Sequence, residues 1–252
     1  MESEDKIHQY VAPQNLLYGR VILITGAGNG IGRAVSLAAA KAGARTILLG
    51  RTVAKLESLY DEIIRAGCPE PGLCPMNLAS ASLDDYSALA EKINEEYGRL
   101  DGLLHNASIL GDRVPLQTYD PNTFLRVMQV NFNAEVFMTQ IMLPLLMKSE
   151  DASIVLTTSG VGLKPRAYWG AYALSKYATE GFGYLLADEL ENTSQIRVNL
   201  INPGATRTPM RAAAYPGEDP MTLKTPEDIV NPYLFLLGPD SRGITGQRFN
   251  AQ

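Results

Sequence analysis

Five short runs of leucine and β-branched residues do most to limit what this chain can fold into. They read RVILIT (20–25), RTILLG (45–50), GLLHNA (102–107), SIVLTT (153–158) and IRVNLI (196–201). A strand with one wet face alternates apolar and polar residues. A run without that alternation suits a strand covered on both faces, as in a parallel sheet between two helical layers. GLCPM (72–76) and RFN (248–250) are weaker candidates. Between the runs lie helical patterns over about 31–42, 53–66, 82–97, 121–147, 171–192 and 226–237, with Gly43 and Gly67 where helix C-caps belong. Repeated strand–helix units predict an α/β fold with a doubly wound, mostly parallel sheet. Its ligand site is expected beyond the carboxyl ends of the strands.

The 252 residues show no repeat or low-complexity linker and are read as a single domain over 1–252. Residues 1–18 read as an N-terminal extension, and the long loop at about 204–225 as a lid over the site. With 46% hydrophobic and 19% charged residues the chain has enough apolar surface for a core. A net charge of −5 without a basic stripe argues against a nucleic-acid partner. Cys68 and Cys74, the only cysteines, read as two reduced thiols in preference to a local disulfide. His8 and His105 add too little for a zinc site, so no metal is expected. The acidic start MESEDKIHQY does not resemble a secretory signal, and Thr139, Gln140 and Pro144 interrupt the most apolar stretch. These features predict a cytoplasmic protein that does not enter a membrane.

The first run leads directly into TGAGNGIG, which holds Gly26, Gly28, Asn29, Gly30, Ile31 and Gly32. Glycines at a strand–helix turn let backbone N–H groups approach a pyrophosphate, so the fold is read as a Rossmann type. The spacing departs from G-x-G-x-x-G because Ile31 stands where the last glycine belongs, but fits T-G-x-x-x-G-x-G. A plain structural turn is the alternative. At the end of the second strand NAD sites place a carboxylate on the ribose 2′-hydroxyl. Here the chain has Arg51, whose guanidinium suits a 2′-phosphate, so NADP(H) is the predicted cofactor. A solvated strand-end arginine is the competing reading.

AYWGAYALSKYA (167–178) offers three tyrosines. Tyr172 has Lys176 one helical turn along, whereas Pro165 and Gly170 separate Tyr168 from Lys164, and Tyr177 faces Gly181. A neighbouring ammonium lowers the pKa of a phenol and suits it to proton exchange, so Tyr172 is the predicted acid/base. Tyr168 and Trp169 are assigned to the substrate pocket, with packing as the alternative, and Tyr177 to packing.

TGAGNGIG, HNAS, VNFNA, TTSGVG, YALSK and NPGATRT follow one another in the order and approximate spacing of the short-chain dehydrogenase/reductase family. The chain resembles that family from about residue 18 to its end. The resemblance implies that Tyr172 exchanges the proton and that Lys176 lowers its pKa and binds the nicotinamide ribose. It implies that Ser159 donates to the substrate oxygen and that Asn131 holds a relay water at a helix irregularity. Asn106 and Ala107 would flank the adenosine end, with Asn77 and Leu78 at the adenine. Pro203, Gly204, Thr206 and Thr208 would wrap the nicotinamide, Thr206 competing with Thr208 for one role. The implied reaction moves a hydride between NADP(H) and a small-molecule carbonyl or secondary alcohol, in a homodimer or homotetramer. A catalytically idle NADP(H)-binding regulatory protein is the rival, and the intact Ser–Tyr–Lys set argues against it. Departures at His105, Ser108 and Asn77 bear on cofactor affinity. Arg207, Arg211, Lys224, Lys164 and Arg166 suggest a cationic rim, though solvated surface charge is the favoured reading.

Overall fold

Seven strands pair in the order β3-β2-β1-β4-β5-β6-β7, every neighbour parallel. The computed structural model describes residue 7 and residues 9–252, so His8 and the first six residues lie outside the described part. The strands are β1 (Val21–Thr25), β2 (Arg45–Gly50), β3 (Gly72–Pro75), β4 (Gly102–His105), β5 (Ser153–Thr157), β6 (Arg197–Asn202) and β7 (Gln247–Asn250). Both weak candidate runs are therefore strands. The run at 102–107 is shorter than expected, because its last two residues already turn across the top of the sheet.

The absence of alternation in the apolar runs has a direct structural cause. Val21 and Leu23 face one core with Leu49, Leu103, Ile154 and Leu200, while Ile22 and Ile24 face the other with Leu48, Leu104, Val155 and Ile201. The first core is closed by α3 (Leu83–Tyr97), α5 (Ala134–Leu146) and α7 (Gly170–Glu191). The second is closed by α1 (Gly30–Lys41), α2 (Val53–Arg65) and α9 (Val230–Leu237). Complete burial of side chains such as Ile22 and Leu103 contributes roughly 1.5–3 kcal/mol each. The remaining α-helices among the described residues are α4 (Pro121–Met128), α6 (Gly160–Leu163) and α8 (Pro209–Ala214).

The continuous helix expected over 121–147 is interrupted. A π-helical turn, Gln129–Asn133, separates α4 from α5, and Ala134 N–H reaches back to Gln129 O. Helical periodicity is preserved on both sides of such a turn, which is why the sequence pattern conceals it. Gly43 and Gly67 both have positive φ just beyond α1 and α2, as C-cap glycines should. Of the expected N-terminal extension, Ile7 and Leu17 are buried in the second core, and Tyr10 donates to Asp240 at 2.7 Å.

The amino ends of the strands meet in an ion-pair network built on two buried aspartates. Asp151 faces Arg20 at 3.0 Å, Arg197 at 3.2 Å and Arg242 at 3.4 Å. Asp101 accepts from Val21 N at 2.8 Å, Ser149 Oγ at 2.6 Å and Arg99 Nε at 2.9 Å. Among the described residues no helix is long and apolar enough to cross a membrane.

Candidate active site

The strand order reverses direction between β1 and β4, and parallel sheets open a crevice at the carboxyl side of such a point. A cavity of about 630 Å³ lies there. Its floor is the glycine turn before α1. Gly26 takes φ +71°, and a Cβ on it would come within 2.9 Å of Ala107 Cα. A Cβ on Gly32 would meet Gly26 O at 2.3 Å, so α1 can pack this close to β1 only with glycine. Asn29 caps α1, its Oδ1 accepting from Gly30 N at 2.9 Å.

All the sequence-predicted cofactor residues except Gly32, together with Ser159, line this one cavity. Gly32 lies directly beneath it. Arg51 stands at one end and makes no hydrogen bond or ion pair among the described residues, and neither does the side chain of nearby Lys55. Asn77 uses its Oδ1 on Ala79 N at 3.2 Å, while Leu78 is buried. Asn106 donates to Thr25 O at 3.2 Å, and Thr25 Oγ1 accepts from Asn106 N and Ala107 N at 2.9 and 3.0 Å. The end of β4 is thereby fastened to the end of β1. Among the described residues no aspartate or glutamate lines the cavity.

Ser159, Tyr172 and Lys176 meet at the other end. Ser159 sits at the end of β5, and Tyr172 and Lys176 share one face of α7. Tyr172 and Lys176 are buried, and Lys176 Nζ donates to Thr157 O at 2.8 Å. The predicted acidification of the phenol is not what this arrangement produces. Burial pushes Tyr172 up to about 12, with Ser159 pulling it down and Glu135 raising it further. Desolvation of the buried phenol is the largest cause. The ammonium is directed to Thr157 O and stands 3.8 Å from Glu135 Oε1, so its charge is answered by a buried carboxylate.

Asn131 lies inside the π turn and is fully buried. Its Oδ1 accepts from Ile109 N at 2.8 Å, and its Nδ2 donates to Ile109 O at 2.9 Å and Ser175 Oγ at 3.1 Å. The residue does not line the cavity; it holds the strand-end loop that does.

Other expectations need correcting. Tyr168 is 57% exposed with φ +69° and does not line the cavity, although Trp169 does. Tyr177, expected to pack, is 59% exposed because its face of α7 points away from the sheet. The suggested cationic rim is dispersed: Arg207 donates to Pro220 O and Leu223 O, and Arg211 forks onto Glu218 with both contacts at 2.6 Å. Ser108 lines the cavity wall with Ile109 and Leu110.

At or behind the cavity, Leu110, Arg113, Glu135, Met210 and Tyr215 escape sequence reasoning, whereas Trp169 and Tyr172 are expected there. Trp169, Tyr172 and Tyr215 form an aromatic wall with Leu110 and Met210, and the Arg113 guanidinium lies 4.5 Å above the Trp169 ring. Arg113 also donates to Ala214 O, which ties the loop after β4 to the segment around α8. Glu135 had one available signal. It is a lone acid four residues after Asn131 in the apolar stretch FNAEVFMTQIML.

A family model described as short chain dehydrogenase matches residues 20–219, and this chain belongs to that family. An uncharacterized oxidoreductase of Escherichia coli, YciK, is 49% identical over 96% of both chains. A 3-oxoacyl-[acyl-carrier-protein] reductase of Thermotoga maritima is 33% identical over 92% of this chain and 95% of its own. A solved Shigella flexneri structure, assigned as a short chain dehydrogenase complexed with NADP, superposes with a TM-score of 0.92. It shares 48% identity over 95% of this chain and 100% of that one.

Proposed function

We propose that this chain is an NADP(H)-dependent oxidoreductase acting on a carbonyl or secondary-alcohol carbon, with Tyr172 as general acid/base. The carrying observation is the polarity of the cavity: Ser159, Tyr172 and Lys176 converge at one end, and Arg51, unpaired among the described residues, stands at the other. The residues present fit a phosphorylated dinucleotide. The glycine turn leaves the start of α1 open to the cavity, the described walls carry no carboxylate, and Arg51 has its donors free for a 2′-phosphate. The NADP-bound Shigella flexneri relative supports the same choice.

When bound, the nicotinamide supplies or accepts the hydride. The chain's own residues handle the proton and the developing charge. Ser159 donates to the substrate oxygen, and Tyr172 delivers or removes its proton. Lys176 holds a positive charge beside the phenol, and its remaining N–H donors are available to the cofactor ribose. Thr206 and Thr208 flank the nicotinamide end, and the segment 206–215 covers the substrate. Trp169, Met210 and Tyr215 give that pocket an apolar wall, which suits a substrate with an apolar group beside its carbonyl.

Replacing Tyr172 by Phe is expected to leave NADPH binding and the melting temperature intact while lowering turnover by roughly 10²-fold or more. Following NADPH absorbance with a panel of carbonyl compounds tests this, and near wild-type turnover in the variant would sink the assignment. Leu174, Tyr177, Tyr184 and Leu185 form an apolar stripe on α7 that is 44–59% exposed. It supports assembly of two or four copies through that helix, which a mass measurement in solution by light scattering can decide. The free thiols Cys68 and Cys74 suit a cytoplasmic setting.

A further inference from the structure

Behind Lys176 lies a polar group that the reaction above leaves unused. Glu135 stands in the first turn of α5 and is 3% exposed. Its Oε2 accepts from Thr179 Oγ1 at 2.7 Å. Its Oε1 has no hydrogen-bond partner among the described residues and stands 3.8 Å from Lys176 Nζ, beyond hydrogen-bond range but within ion-pair range. Burying a carboxylate is costly unless a charge compensates it, so a structural purpose alone would be better served by an apolar residue.

The other charged and titratable groups around Lys176 are accounted for. From β4, His105 is buried against Thr139 Oγ1 at 2.8 Å, and burial holds it neutral with a pKa lowered to about 3. On α7 itself, Glu180 accepts from Arg248 Nε at 2.9 Å and Thr158 Oγ1 at 2.7 Å, so its charge is already answered. Tyr172 on α7 and Tyr233 on α9 are phenols that burial keeps protonated. Among the described residues, that leaves Glu135 as the anion without another cationic partner. Burial lowers the pKa of the Lys176 ammonium, and Glu135 is the largest influence opposing it. Burial pushes Glu135 up to about 7, with Lys176 pulling it down. The protonation states of these two groups are therefore linked across the packing of α5 against α7.

Resting on the reading of Tyr172 and Lys176 as the proton-handling pair, we propose that Glu135 is a positioning residue. Its carboxylate keeps Lys176 an ammonium and so sets the pH range over which the pair works. Asn131, one turn earlier, reaches the same stretch of α7 through Ser175. The π turn and the first turn of α5 thus each deliver one support to the helix that carries the chemistry.

Glu135→Gln preserves the shape and removes the charge. Taking away an anion lowers the pKa of every ionisable neighbour. In cofactor-free protein labelled at lysine 13Cε, with the Lys176 signal assigned by its loss in Lys176→Met, the titration midpoint should fall by about one pH unit or more. Glu135→Asp should recover most of the shift. The alkaline limb of turnover should move the same way, whereas a purely structural role would lower turnover equally at every pH. A midpoint that is unchanged in the folded Gln variant overturns the proposal. Should that variant not fold, Thr179→Val, which removes the hydroxyl that stabilises the carboxylate, is expected to shift the midpoint downward too, and no shift there overturns it equally. Because the lysine titration needs no turnover, it stands or falls separately from the assignment of Tyr172.

Discussion

The two ends of the sheet handle charge in opposite ways. At the amino ends, Asp151 and Asp101 are buried and saturated by arginines, a hydroxyl and a backbone N–H. At the carboxyl ends the described cavity walls hold cations and no carboxylate, and Arg51 and Lys55 are left without partners among the described residues. At the amino ends, charge saturated in this way ties strands together and has nothing left for a ligand. Unpaired charge contributes little to the fold and remains available to bind. The contrast separates where this molecule is stabilised from where it works.

The contrast can be broken most readily at the amino end. Asp151→Ala leaves Arg197 buried without its carboxylate and should lower stability by about 3–5 kcal/mol in urea unfolding, with kcat of the folded fraction unchanged. A comparable loss of kcat would mean that the two ends are not separable. The next largest effect is a pH dependence near the site. His105 is held neutral down to about pH 3 when folded, against an ordinary value of 6.5. A base with a depressed folded pKa contributes stability that is present above the unfolded value and lost as pH falls towards the folded one. Below pH 6.5 the unfolded chain therefore binds the extra proton. Wild type should lose up to roughly 1.4 kcal/mol per pH unit from this group, a slope that His105→Gln removes in melts at successive pH values.

Arg51→Ala should raise the KM for NADPH about tenfold, leave that for NADH nearly unchanged and hardly alter melting. A large drop in melting temperature would place Arg51 with the structural charges instead. The smallest effect belongs to Arg33 and Glu62, an ion pair at 2.7 Å between partly exposed side chains on α1 and α2. Glu62→Gln should cost about 0.2–1 kcal/mol and still less in salt of about 1 M, which calibrates how far burial multiplies the Asp151 effect.

Most of the sheet is legible in the sequence because both its faces are covered, and a continuous apolar run as short as RVILIT suits little besides a strand buried on both sides. The glycine turn and the Tyr172–Lys176 pair are legible because their geometry is local, fixed within a few residues of chain. What requires packing is not. Nothing in AYWGAYALSKYA says that Lys176 will be drawn to Thr157 O and Glu135, because those partners come from β5 and α5. Tyr168 and Tyr177 lie elsewhere than expected for the same reason. Which side of a helix meets the sheet depends on the elements beneath it, and a left-handed backbone at Tyr168 is invisible to propensity.

The π turn at 129–133 also acts as a phase joint. With one residue more than a regular turn would hold, it offsets α5 by about 100° relative to a helix continued from α4. Winding the same residues as an unbroken α-helix would give a smoother helix and a worse protein. Glu135, Met138 and Met142 would all be rotated off their present bearings, although no side chain had been altered. In this segment the count of residues is itself a constraint, independent of which residues they are.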